Sequence, residues 1–234
     1  KIKNQVFQRN IGFKKISKKS DILLQLDDRI ILDQRCLWEL NKFWQKMKPS
    51  VIGVGLNQVN PFKERGFFNK ITCYLNLRGK VLINGMSIDY SSLKKDLEVM
   101  WLKGGLSSWR INRNINKKFS DRKFPLWKWS IYEDVEFSIS QKKDYKLIVS
   151  HKSKAKVIER KDKVNFNNLI YRGSLHTFSQ KRLVNHYSKN KVYFFSTVPI
   201  LVLLSFMISI LTFNLSKIIY NIGRLKGFFI INFN

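Results

Sequence analysis

From Asn10 to Lys19 apolar and polar positions recur at helical spacing, and the period then changes, because Ile22 to Leu26 is a short apolar run. Such a run is expected of a strand covered on both faces, as in a parallel sheet. Asp27 and Asp28 follow where the chain must turn. Adjacent like charges repel unless a cation or hydrogen-bond donors offset them, so this turn calls for a partner. Asp33 is placed to cap a helix in which Leu37, Leu40, Trp44 and Met47 share one face, and Pro49 ends it. Val51 to Leu56 reads as the next strand. The order helix, strand, helix, strand predicts an α/β sheet, in which ligands collect at the carboxyl ends of strands.

Phe67 to Ile88 mixes β-prone residues with turn signals at Arg78-Gly79-Lys80 and Asn84-Gly85, which predicts hairpins or irregular structure. Val99 to Leu102 reads as a short strand ending at Gly104-Gly105. A helix is expected to open near Glu133, with strands at Lys146–Val149 and Lys156–Ile158. Val192 to Ser216 then runs for about 25 residues without a charge, long enough to cross a bilayer as a helix. Lys189, Lys191 and Lys217 bracket it, and Pro199 near its start allows a kink or a re-entrant path. The tail IIYNIGRLKGFFIIN suits an interfacial segment better than a second span.

The 234 residues hold 44 Lys+Arg against 16 Asp+Glu, a net charge of +28. That balance favours anionic partners, nucleic acid or membrane surface. The lysines are scattered, with no basic helix face, arginine-rich arm or zinc pattern, so a nucleic-acid module is not indicated. Cys36 and Cys73 have neither disulfide-framework nor zinc-ligand spacing, which fits a reducing compartment. His151, His176 and His186 lie apart, none beside a nucleophile motif.

Three stretches carry residue types with chemistry. Asp27-Asp28 at a strand end can hold a hard divalent cation that shares its shell with substrate phosphates. In WLKGGLSSWR, Gly104 and Gly105 let backbone approach a ligand closely and Arg110 offers a guanidinium to an anionic group. In YEDVEFSI, Glu133 and Asp134 open a helix, where acids are favoured electrostatically; either can act as general base if it reaches an acceptor hydroxyl.

In order and spacing, QRNIGFKKISKKSDILLQLDDRIIL, GKVLINGMSIDYSSLKKDLEVMWLKGGLSSWR and YEDVEFSISQKKDYKLIVSHKSKAKV resemble glycosyltransferase family 2, the inverting GT-A-type transferases of bacterial surface polysaccharides. The resemblance runs from about Gln8 to Val157. It implies a partial GT-A (Rossmann-like) mixed sheet with flanking helices over residues 1–180, then a membrane-associated segment over 181–234 whose hydrophobic helix, about 192–216, is transmembrane or membrane-embedded. The Arg-Asn-x-Gly helix is matched by Arg9, Asn10 and Gly12. The acidic nucleotide and metal motif falls on Asp27 and Asp28, with Asp28 holding Mg²⁺ or Mn²⁺. Arg9, Asp27 and Asp28 are thereby implied on the donor side and Gly104, Gly105 and Arg110 on the acceptor side. Asp134 is implied as catalytic base, with Glu133 beside it. The partners implied are a nucleotide-sugar donor, a glycan or lipid-linked acceptor and the inner (cytoplasmic) membrane, with the catalytic part facing the cytoplasm and no nucleic acid bound.

The sequence also departs from the family. Arg29 stands at a position where a third acid is common, which places metal binding mainly on Asp28. Ser140-Gln141 replace an arginine usual after the Glu-Asp pair. The amino-terminal strand–helix–strand that holds the nucleobase has no counterpart. The reading frame is therefore expected to extend upstream of Lys1 by roughly 80 to 100 residues, and this chain alone is expected to be inactive. The competing expectation is a non-enzymatic basic membrane-associated protein that binds anionic lipid or nucleic acid, its acids serving only as caps.

Overall fold

The computed structural model describes residues 5–16, 19–59, 72–111, 119, 131–141, 144–158, 165–187 and 191–230. The aromatic stretch Phe124–Trp129 and the first residues of the expected hairpin region lie outside them. Helix α1 (Gln5–Lys14) leads into β1 (Ile22–Leu26), a turn, β2 (Ile30–Leu32), α2 (Cys36–Lys46) and β3 (Val51–Gln58). Next come β4 (Leu97–Val99), β5 (Leu106–Arg110), α3 (Glu133–Ile139) and β6 (Lys146–Val157). Three helices close the chain, α4 (Phe166–Tyr187), α5 (Val192–Leu211) and α6 (Leu215–Phe229).

The sheet is mixed, as expected, in the order β1-β5-β3-β6-β2, with β4 also pairing β6. β3 and β6 run parallel, and every other pairing is antiparallel. β1 corrects one expectation. It is antiparallel to β5 and only partly buried, not a parallel strand covered on both faces. β3 is the strand buried on both faces. Its Val54 and Leu56 meet Leu40 and Trp44 of α2, while Gly53 and Gly55 leave room on the other face for Trp109, Leu102 and Leu147. On that second face Phe13 of α1, Trp109 of β5 and Phe137 of α3 pack together, with Phe119 stacked on Phe137 at 4.1 Å. Two helices are thereby fixed over the sheet by aromatic contacts.

The expected strands at 146–149 and 156–158 are one strand, because β6 continues through an irregularity. Its register against β3 jumps between Leu56↔Ser150 and Asn57↔Lys154. Buried Asn57 fills the gap, donating to His151 O at 2.9 Å and Leu93 O at 3.0 Å and accepting from Leu93 N at 2.9 Å. The first half of β6 therefore pairs with β4 and the second with β2. The turns at Gly79 and Gly85 are present, both glycines at positive φ.

Further differences are local. Asp33 Oδ1 accepts only from Arg35 N, at 3.3 Å, so it orders the entry to α2 without capping its first turn. The buried stripe of α2 is Cys36, Leu40 and Trp44, and Leu37 is exposed. The hydrophobic helix ends at Leu211, and Thr212–Asn214 break it from α6. Helix α4 runs through residue 180, the expected domain boundary.

Candidate functional site

The Asp27–Arg29 turn is closed by Ile30 N donating to Asp27 O at 3.2 Å, and Asp27 N donates to Gly105 O at 3.3 Å. The end of β1 thus lies beside the start of β5, with the Lys103–Gly105 strap against the Asp27 carboxylate. A side chain here would displace the groups beside the strap. A Cβ on Gly105 would overlap the Asp27 carboxylate, and one on Gly104 would lie 2.6 Å from Arg9 Nη1.

Arg9, brought in by α1, is buried at the centre. Its Nη1 donates to Glu133 Oε1 at 2.7 Å, and its Nη2 is 3.6 Å from Asp27 Oδ1. In the amide orientation its neighbours require, Gln25 accepts from Arg9 Nε at 2.7 Å and donates to Gly104 O at 3.3 Å. The guanidinium also lies 5.3 Å from the centre of the Phe119 ring, and Phe119 is held to Asn10 by two hydrogen bonds of 2.8 and 3.0 Å. Asn10 therefore fixes what packs on Arg9. A Cβ on Gly12 would meet nothing within 4 Å, so no close approach requires glycine there.

The acid pair opens α3 from Tyr132, whose left-handed φ of 70° turns the chain into the helix. Glu133 points inward and is 8% exposed, whereas Asp134 keeps part of its surface open. Asp134 Oδ2 accepts from Gly104 N at 3.0 Å and Oδ1 from Val135 N at 2.9 Å. Burial first and the neighbouring Asp134 charge second push Glu133 up to about 8, against the pull of Arg9. Burial also raises Asp134, opposed by the Gly104 N–H and by Arg9. Two adjacent carboxyls that share one cation do not both ionise readily near neutrality.

The structure brings together Arg9, Asp27, Gly104, Gly105, Glu133 and Asp134, drawn from four segments. It places two other expected residues elsewhere. Asp28 points to solvent, its side chain 74% exposed, with Arg29 Nε at 4.0 Å. Arg110 pairs with Ile22 at the far end of β5, roughly 17 Å along the strand from Asp27. There it packs over Trp44 and donates to Val51 O. No cluster of three or more His, Cys, Asp or Glu placed to hold a metal occurs among the described residues. Asp28 supplies one outward carboxylate, which suits a hard cation whose remaining ligands are water and substrate phosphate.

A second polar group adjoins the first through Lys103. Its ammonium contacts Asp89 Oδ1 at 2.6 Å, Ser91 Oγ at 2.8 Å and Gln58 Oε1 at 2.9 Å, and its backbone N donates to Tyr90 OH at 2.6 Å. Burial lowers Lys103 despite Asp89. For Asp89, burial works upward, but the Lys103 charge and the Ser91 donors outweigh it and the net shift is downward. Lys103, Asp89 and Gln58 were not expected from the sequence. The only local signal was a lysine directly before the glycine pair.

A scan against protein-family models gives no match, and neither does a search of curated proteins.

Proposed function

We propose that the chain belongs to an inverting, membrane-associated glycosyltransferase of the GT-A type, similar to family 2. The observation that carries this reading is the meeting of Arg9, Asp27, Gly104-Gly105 and Glu133-Asp134 in one polar cluster at the carboxyl end of β1. These are among the residues on which the resemblance rests, and Arg9 and Glu133 meet although 124 positions separate them. A basic protein that only binds lipid has no use for carboxyls gathered around a buried arginine, because solvated caps would serve it at lower desolvation cost.

In this reading a nucleotide-diphosphate sugar lies at the Asp27–Asp28 turn. The acceptor hydroxyl gives its proton to Asp134 as its oxygen attacks the anomeric carbon. The bond to the diphosphate breaks on the opposite face and the diphosphate leaves with the electron pair. Two features support Asp134 over Glu133 as base. Asp134 keeps open surface, and Glu133 is turned inward onto Arg9. The Gly104 and Val135 N–H groups donate to the Asp134 carboxylate and orient it. Asp28 is the residue that would hold Mg²⁺ or Mn²⁺, and a bound ion offsets leaving-group charge. The catalytic part is assigned to the cytoplasm, where nucleotide sugars are made, and the acceptor is a glycan or lipid-linked hydroxyl.

The test is release of nucleoside diphosphate by the complete protein, assayed in membranes against a panel of nucleotide sugars with divalent ion present. Release is expected in the wild type, and Asp134→Asn is expected to lower turnover by about 10²-fold or more with little change in donor affinity. No release from any donor, or equal turnover in the variant, refutes the reading.

A further inference from the structure

An uncharged helix of 20 residues invites a transmembrane assignment, yet the packing around α5 argues against one. After Thr212–Asn214 the chain returns along α5. Asn221 Nδ2 of α6 donates to Ser205 Oγ at 3.1 Å and to Ser209 Oγ at 3.4 Å, and the Phe228 ring lies 5.7 Å from that of Phe194. The end of α6 is therefore level with the start of α5. Helix α4 runs in the same direction as α6, in backbone contact through Gly223 at Ile170 and Gly227 at Ser174.

The α/β body is fastened to the same unit. His176 of α4 packs edge-on to Tyr132 at 5.1 Å, directly before the Glu133-Asp134 pair, and Gln180 Nε2 donates to Asn84 O at 2.9 Å. Asn84 Nδ2 in turn donates to Thr197 Oγ1 of α5 at 3.1 Å. Phe194, Val198 and Val202 close around Val184. Arg224 lies between Thr177 and Gln180, at 3.5 and 3.4 Å, level with the first half of α5. A perpendicular crossing would need lipid around α5 over about 30 Å of depth. It would draw Arg224, exposed Lys226 and the Asn84 hairpin into the hydrocarbon, where charge is costly.

The other side of α5 has the opposite character. Ile200, Leu203, Leu204, Met207, Ile208 and Leu211 are all between 49% and 74% exposed and form an uncharged strip along the helix. Exposed Lys191 and Lys217 stand at its two ends, and Lys181 lies 5.7 Å from the centre of the Phe195 ring. Apolar strip, flanking cations and a chain charge of +28 suit an anionic lipid surface.

We propose that α5 does not cross the bilayer. It lies within one leaflet of an anionic membrane with its apolar strip facing the acyl chains and α4 and α6 backing it, so that Lys191, Lys217 and the α/β body share one side. The protein is then monotopic, and its membrane-facing unit touches the residue that precedes the acid pair. This inference goes beyond the transferase reading and does not rest on it.

The test uses the full chain in sealed membrane vesicles of both orientations and a membrane-impermeant maleimide. Native Cys73 is exposed on the α/β body and reports its side, and Cys36 is buried. Lys217→Cys in a Cys73→Ser background reports the far end of α5. Labelling of this site in the same vesicle orientation as Cys73, and protection in the other, is the expected result. Labelling in the opposite orientation, labelling only after detergent, or recovery of the chain in the soluble fraction each overturns the proposal. None of these readouts is an activity, so failure here is separable from failure of the transferase reading.

Discussion

Arg9→Met removes the one cation that Glu133 touches and leaves a side chain of similar length. Arg9 is 8% exposed and Glu133 9%, so the pair is a buried one. Deleting one partner of such a pair costs about 3–5 kcal/mol, since the remaining charge is left without compensation. That cost applies only where Glu133 is ionised, which makes pH the discriminating variable. The folded protein holds the Glu133 proton more tightly than the unfolded chain does, at about 8 against an ordinary 4.5. Stability from this group is therefore fully present below 4.5 and is lost as pH rises through 8, by on the order of 5 kcal/mol at most. Without Arg9 the proton is held more tightly still, so the decline keeps its limiting slope of one proton and continues past 8. Urea unfolding followed by the fluorescence of buried Trp101 and Trp109 at pH 5 and pH 9 measures the difference. At pH 9 the variant is expected to lose about 1.4 kcal/mol more than at pH 5, because Glu133 takes up a proton in place of its ion pair and linkage limits the extra loss to one proton over the pH unit above 8. At pH 5 it is expected to lose about 1–3 kcal/mol, from the Asp27 ion pair, the Gln25 hydrogen bond and the Phe119 contact together. An equal loss at both pH values refutes the electrostatic account and makes Arg9 a packing residue.

Gly105→Ala forces the strap off Asp27 and is expected to cost about 1–3 kcal/mol, read as a lower melting temperature, with weaker nucleotide-diphosphate binding in the complete enzyme. Asp28→Asn is expected to abolish the divalent-ion dependence of donor binding; binding that is the same in both proteins with and without chelator removes Asp28 from the metal site. Gly223→Leu places side-chain atoms on the Ile170 carbonyl and is expected to part α4 from α6, which limited proteolysis reads as new cleavage within residues 166–230.

The sequence was most legible where the signal is local. β1 ends at Leu26 because an apolar run meets two acids, and α3 opens at Glu133 because acids favour a helix start. β5 was hidden because Ser107 and Ser108 read as polar loop. They are fully buried, and what makes them a strand is pairing with β1 on one side and β3 on the other. β6 was read as two strands because His151–Ser153 interrupts its pattern, and the Asn57 side chain that spans the gap comes from β3. Helix α4 carried little apolar periodicity because Gly173, Ser174, Thr177 and Gln180 take buried positions beside Leu175 and Leu183, where the helix packs on the glycines of α6. Within the site, the convergence of Arg9, Asp27 and the acid pair followed the order of motifs. Lys103 with Asp89 and Gln58 did not, since an ion pair between separate segments leaves no trace in either segment alone.

The turn at Asp27–Arg29 joins β1 and β2, which stand at opposite ends of the strand order. Four strand spacings would separate them by roughly 19 Å in a flat sheet, more than three linking residues can bridge. The twisted rim is therefore drawn together there as a purse is by its string. A molecule seated on this turn would bear on both borders of the sheet at once, and its arrival would slow amide exchange in β1 and β2, including at residues it never touches.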